Sequence, residues 1–299
     1  MNWLHEISDL VQHYVDLPAV DVPDVLAGAS YKQLRDEDLD IIAVELRRHW
    51  QLGEGPCPDM IALLERIGVI VSTIEMGTSK LDGLCSWSRL EDRPHILLAT
   101  DKMCYPRRQM DAAHELAHAI LHRNVSEDEL RDNLKAIEAQ AFRLASAFLM
   151  PSTTYPLDVF RPSLATLQTL KERWRVSIKA QIRRLVYLDM IPPEHALQMY
   201  KLYSAKGWNS EEPLDKLWAV SEPRLLRDSL QLIVESGTRT KEDLASVEFT
   251  MAGEDIERLT SLPFGWFTSK AGEVVQLKPQ LRDRATGTDG VVVPFRRNS

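Results

Sequence analysis

No stretch of this chain is apolar for long enough to cross a bilayer, which takes roughly 20 residues. Glu6 and Asp9 stand where a secretory leader would carry bases, so no signal peptide is expected. Cysteine is scarce. Cys57, Cys85 and Cys104 are odd in number and too widely spaced for a disulfide framework or a zinc ribbon, and they point to a reducing, cytoplasmic setting. An excess of bases is missing too. The 36 Lys and Arg against 44 Asp and Glu give a formal net charge of −8, which argues against nucleic-acid binding by the whole molecule and leaves only a local patch open. Internal repeats and low-complexity tracts are absent. What remains is the composition of a soluble globular protein without a membrane role, in a chain of 299 residues, long enough for two or three domains.

The chemistry lies in residues 110–122, MDAAHELAHAILH. Wound as a helix, the stretch is apolar on most sides (Met110, Ala112, Ala113, Leu116, Ala117, Ala119, Ile120, Leu121), as suits a helix inside a protein. Asp111, His114, Glu115, His118 and His122 form a narrow polar stripe at spacings of three and four. Such groups cost about 1–3 kcal/mol each when buried without a partner, and a divalent cation would satisfy them together. His114-Glu115-x-x-His118 is the zinc-hydrolase spacing: imidazoles at i and i+4 converge on one ion, and Glu115 reaches the water as general base. The competing reading is a buried helix whose histidines hydrogen-bond to backbone.

A third ligand separates the classes. A metzincin would have glycine three residues past the second histidine and a third histidine three further on; Leu121 and Asn124 stand there, which excludes that class. The second helix, 137–151 (IEAQAFRLASAFLMP), offers Glu138, which shares a face with Ala141, Phe142 and Ala145 and so points a carboxylate at the core. A surface glutamate at the rim of an amphipathic helix is the alternative. Glu127, Asp128 and Glu129 follow Ser126 and read as a solvated helix start capped by that serine.

Together, RRQMDAAHELAHAILHR and EAQAFRLASAFLMP resemble the ImmA/IrrE family of metallo-endopeptidases, with weaker similarity over residues 56–209. The resemblance implies an α+β, zincin-like metallopeptidase domain, a Zn2+ ion held by His114, His118 and Glu138, and Glu115 as catalytic base. It also implies a protein substrate: a helix-turn-helix repressor that controls a mobile element or a stress response. Gln109, Met110 and Asp111 stand where the family commonly has Arg, an aromatic and Thr, and Arg108 is the nearest arginine. The helix-turn-helix often fused ahead of such domains is not visible in this sequence. Arg108, His122 and Cys85 are accessory candidates. His122 either supports the site, stabilises the reacting oxyanion or partners the helix dipole. Cys85, and Cys104 beyond it, is either a half-buried small residue or a thiolate able to block the metal's open position.

Five segments are expected. Residues 1–55 are helical and acidic, with nine acids against two bases in the first forty, a solvated or partner-facing arm closed by the hinge GEGPCP. Residues 56–160 form the peptidase domain, with a helix at 59–67 and strands at 69–71, 81–90 and 95–99. Within it GLCSWS is the edge expected to hold an extended substrate. Residues 161–204 read as a helix-turn-helix-like module with Ser177 capping the second helix. Between Arg161 and Leu188 seven bases face one acid, Glu172, and Arg175, Lys179, Arg183 and Arg184 are the candidate phosphate contacts; a solvated face of a packing module accounts for the same residues. Residues 205–280 form a small module with helices at 222–235, 241–247 and 253–259 and a core around Trp208, Trp218 and Trp266. Residues 281–299 are a loosely ordered tail whose VVVPF could dock as an edge strand.

The sequence therefore reads as an α+β zincin-like metallopeptidase domain with flanking helical modules, cutting a peptide bond in one specific protein. Two rivals stand beside this. One is a non-catalytic transcription regulator or antitoxin-like protein that uses the fold as a scaffold. The other is a ligand sensor whose receptor is the C-terminal module.

Overall fold

The computed structural model describes residues 1–78, 81–88, 90–101 and 103–268. Helices α1 (Asn2–Gln12), α2 (Asp36–His49) and α3 (Met60–Arg66) precede three strands, β1 (Ile70–Ile74), β2 (Gly83–Ser88) and β3 (Arg93–Ala99). The long helices α4 (Tyr105–Leu121) and α5 (Glu127–Leu149) follow, then the short α6 (Tyr155–Asp158), α7 (Leu164–Trp174), α8 (Ile178–Tyr187) and α9 (Pro193–Ala205). The last elements are α10 (Leu225–Glu235), the brief α11 (Lys241–Asp243) and α12 (Gly253–Thr260). Among the described residues no helix is long and apolar enough to cross a membrane.

β3, RPHILLA, is buried at every position and takes the middle of the sheet, with β1 parallel on one side and β2 antiparallel on the other. Alternation along the strands sends Val71, Ile96 and Leu98 into one core and Ile70 and Leu97 into another. The first core holds α4, α5, α2 and the helices up to α9. The second is closed by Leu4, Ile7 and Val11 of α1, Leu226, Leu230 and Ile233 of α10, and Ile256 and Leu259 of α12.

Several expectations are corrected by this packing. The acidic N-terminal helix is no solvated arm, because its apolar residues at helical spacing cover the outer face of the sheet. The three tryptophans build no core of their own. Trp208 packs on the first core, Trp266 on the second, and the Trp218 ring lies 6.3 Å from that of Tyr105. GEGPCP is not a hinge. Arg47, 2% exposed, donates from Nη1 to Phe148 O (2.7 Å), from Nε to Gly53 O (2.9 Å) and from Nη2 to Gly55 O, tying the loop to the end of α5. Residues Met1–Phe267 form one compact unit, and the first core runs unbroken across 55/56 and 160/161. The helix expected from 222 begins at Leu225, where Glu65 accepts from the backbone N–H groups of Arg224 and Leu225 (2.7 Å each). After α11, Leu244–Glu248 turn as a π-helix. The segment 281–299, VVVPF included, and the end of the 205–280 segment lie outside the described residues.

Candidate metal centre

α4 starts with Pro106 in its first turn, where the missing N–H costs no helical hydrogen bond, and ends at His122. α5 starts at Ser126, whose Oγ accepts from Glu129 N (3.2 Å), with Glu127, Asp128 and Glu129 in the turn where the helix dipole favours acids. Glu129 pairs with Lys32 and Asp128 with Arg131, so these acids belong to the helix start, away from the histidines. α5 folds back along α4 and brings Glu138, three turns in, against His114 and His118.

The three side chains meet. His114 Nε2 lies 3.0 Å from His118 Nε2 and 3.1 Å from Glu138 Oε2, and His118 Nε2 lies 3.5 Å from Glu138 Oε1. No other such cluster of His, Cys, Asp and Glu occurs among the described residues. The donor set fits a divalent cation. Ligands about 2.0–2.1 Å from a tetrahedral zinc stand roughly 3.3 Å apart, close to all three separations here. Burial lowers the pKa of His114 and keeps its ring in the neutral form that carries a lone pair. The two imidazoles beside it hold the Glu138 carboxyl well below the usual carboxylate range.

A chain of hydrogen bonds sets the orientation of His118. Gln140 Nε2 donates to Tyr31 O (3.0 Å), which turns Gln140 Oε1 toward His122 Nε2 (3.3 Å). The amide oxygen can only accept, so His122 carries its proton on Nε2, and its Nδ1 accepts from His118 Nδ1 (3.1 Å). The unprotonated Nε2 of His118 then faces the centre. Burial pushes the pKa of His122 down to about 4 and keeps it neutral in this role. Of the three readings of His122, support of the site is the one this network serves.

Glu115 is 5% exposed and sits beside the trio. Burial, with Glu138, Asp111 and Asp82 nearby, pushes its carboxyl up to about 8. The backbone of β2 comes so close that a Cβ at Gly83 would lie 2.6 Å from Glu115 Oε1. Trp87 Nε1 donates to Ala119 O (3.0 Å) and pins the other end of the strand to α4. At the open side Arg107 donates to Asp82 (2.5 Å) and pairs with Asp111 (3.7 Å), and Phe142 lays its ring 4.2 Å from that of His114.

Other candidates are placed elsewhere. Arg108, 4% exposed, donates to Ala99 O (3.2 Å) and Met103 Sδ at the end of the sheet; its work is structural. Burial lifts the Cys85 thiol well above its ordinary range and Cys104 to about 11, and neither belongs to the cluster of His114, His118 and Glu138. Arg184 is fully buried, bonded to Asp40 and to Met150 O (2.9 Å), and is withdrawn from any phosphate contact. Arg175, Lys179 and Arg183 remain exposed. Sequence reasoning passed over Arg107, which stands four residues before Asp111 on the polar stripe and was findable on that ground. It also passed over Asp82, Gln140 and Tyr31, for which no local signal exists.

The fold and the helix pair are those of an α+β, zincin-like metallopeptidase domain. Residues 64–186 match the family model Peptidase_M78, the IrrE N-terminal-like domain. No curated protein matches the chain. Among solved structures, a Mycobacterium tuberculosis transcriptional regulator is similar at 14% identity and a TM-score of 0.35, over 62% of this chain and 51% of that one, so the chain spans about half its length.

Proposed function

We propose that this protein is a zinc-dependent endopeptidase acting on a specific protein substrate. The observation that carries the reading is the trio of His114, His118 and Glu138 at tetrahedral ligand spacing with Glu115 buried beside it. These three would hold the ion, which when bound supplies a Lewis acid for the substrate carbonyl and an acidified water. Glu115 would accept the nucleophile's proton at a carboxylate oxygen and return it to the leaving amine. β2 is paired only to β3 among the described residues, so its free edge can hydrogen-bond an extended substrate beside Glu115. The substrate class, a DNA-binding repressor, rests on the family likeness of residues 64–186.

Glu115→Gln is expected to keep zinc and fold while peptide hydrolysis falls by about 10²–10⁴-fold, the usual worth of a positioned base. His118→Ala or Glu138→Ala is expected to lose the metal, read as zinc per chain after dialysis. Co-expression with a helix-turn-helix repressor supplies the substrate: a shortened product with the wild type and none with Glu115→Gln supports the enzyme. A repressor inactivated equally by the variant, and left uncut, would make this a binding protein instead.

A further inference from the structure

The fold divides the basic residues of α8 into those that hold the protein together and those that do not. Arg184 is spent on Asp40 and Met150, and the Arg175 guanidinium lies over the Tyr105 ring at 5.7 Å. Lys179 and Arg183, one turn apart, line an open cavity of about 840 Å³ between α8, the start of α4 and the segment after α9. The cavity reaches the candidate metal centre. Asp111 and Phe142 also line it, and the Phe142 ring that rests against His114 has the Arg183 guanidinium 5.2 Å from its centroid. A single phenyl ring links that cation to a proposed ligand.

The other ionic side chains of the cavity are already matched. Arg107 is taken by Asp82 and Asp111, and Lys216 by Glu211 (2.6 Å). Glu212 and Asp215 bind the buried ammonium of Lys171 at 2.8 and 2.6 Å. Lys179 and Arg183 have no carboxylate at ion-pair distance among the described residues, and Arg183 donates only to Tyr187 Oη (2.5 Å). The five carboxylates of the cavity outnumber those three bases by two, but each already lies at ion-pair distance from one of them, so the wall formed by Lys179 and Arg183 is the part of the lining left complementary to an anion. The concave setting beside the centre favours a side chain of a bound peptide. A DNA duplex would need a longer row of cations on an outward face than this pair provides.

We propose that Lys179 and Arg183 select an acidic side chain, Glu or Asp, carried by the substrate close to the scissile bond. The proposal rests on the peptidase reading above. The test uses the full chain loaded with zinc. Wild-type protein is given a pool of short random peptides, and the cut sites are read by mass spectrometry. Matched peptides that differ only by Glu against Gln are then titrated onto the zinc-loaded Glu115→Gln protein. Acidic residues are expected to be enriched at one position near the cut, and the Glu peptide to bind about 3- to 10-fold more tightly than its Gln partner at low salt. Lys179→Ala with Arg183→Ala should bring that ratio to one, and Lys179→Glu with Arg183→Glu should turn the preference toward Lys. Zinc content and unfolding midpoint should stay put in both, since the side chains are exposed. Peptides bound and cut without a charge preference, or a preference that survives the double variant, would overturn this proposal and leave the peptidase standing. Failure of every peptide to be bound would overturn this proposal, and the repressor test above judges the peptidase separately. A labelled DNA duplex held by the wild type and released by the same double variant would reassign the two cations to nucleic acid.

Discussion

His122 decides which nitrogen of His118 faces the centre, and it does so through Gln140 and a backbone carbonyl at Tyr31. Removing such a support typically weakens metal binding by about 10–100-fold without removing a ligand. His122→Ala is therefore expected to retain the fold and to lose zinc to a chelator at a concentration lower by that factor. An unchanged affinity would mean that packing against Phe142 and Tyr31 alone orients the rings. The sequence displayed His114, Glu115 and His118 through spacing, and Glu138 through the apolar face it shares with Ala141 and Ala145. It could not display Gln140, which looks like any polar residue of α5, or Tyr31, which arrives from a loop far upstream. A side chain that serves by orienting another leaves no periodic trace.

Among the elements, β2 and α4 constrain each other most closely. The strand is held at both ends, by Trp87 on Ala119 O and by Arg107 on Asp82, and between them Gly83 leaves room for Glu115 and little else. Gly83→Ala would push its methyl into the Glu115 carboxylate, and the side chain must swing aside. Displacing a catalytic group by an ångström costs about 10²-fold, so hydrolysis is expected to fall by that order while zinc content stays full. A variant that loses zinc and activity together would instead show the strand supporting the ligands. The helices were legible where an apolar stripe and a cap coincided, as at Ser126 for α5 and Ser177 for α8. The start of α10 was misread because Glu65 supplies it from far upstream, and at α8 Glu212 accepts from Ile178 N (2.7 Å) and Lys179 N (3.1 Å) in addition to the cap at Ser177. Charge also misled. Arg184 was read as a phosphate contact and, like Arg47 and Lys171, is a buried strut, because nothing local reveals the carboxylates and carbonyls that receive them.

At the scale of the molecule the two cores share one sheet, and β3 is covered on both faces. His95, fully buried on β3, meets the ring of His5 from α1 at 4.4 Å, with Glu91 3.7 Å away and Arg93 beside it. Burial pushes the pKa of His95 down to about 3, against about 6.5 in an unfolded chain. The unfolded form therefore takes the proton first. Stability from this group is full above about pH 6.5 and declines as pH falls toward 3, by up to about 1.4 kcal/mol per pH unit. Urea unfolding across that window should show a shallower decline for His95→Leu than for the wild type, and equal slopes would clear His95 of the acid sensitivity. The pairing of α1 with α10 and α12 was invisible in the sequence, since each helix presents only an ordinary apolar stripe and no stripe names its partner. That pairing has a consequence for how the protein is made. A ribosome delivers α1 first and α12 only after everything between them, so the helix pair bearing His114, His118 and Glu138 emerges while Ile70 and Leu97 still face water on the far side of the sheet. The nascent chain would carry its prospective ligands in a frame missing one wall, and a chaperone or a stalled intermediate would meet the sheet from the side of α1.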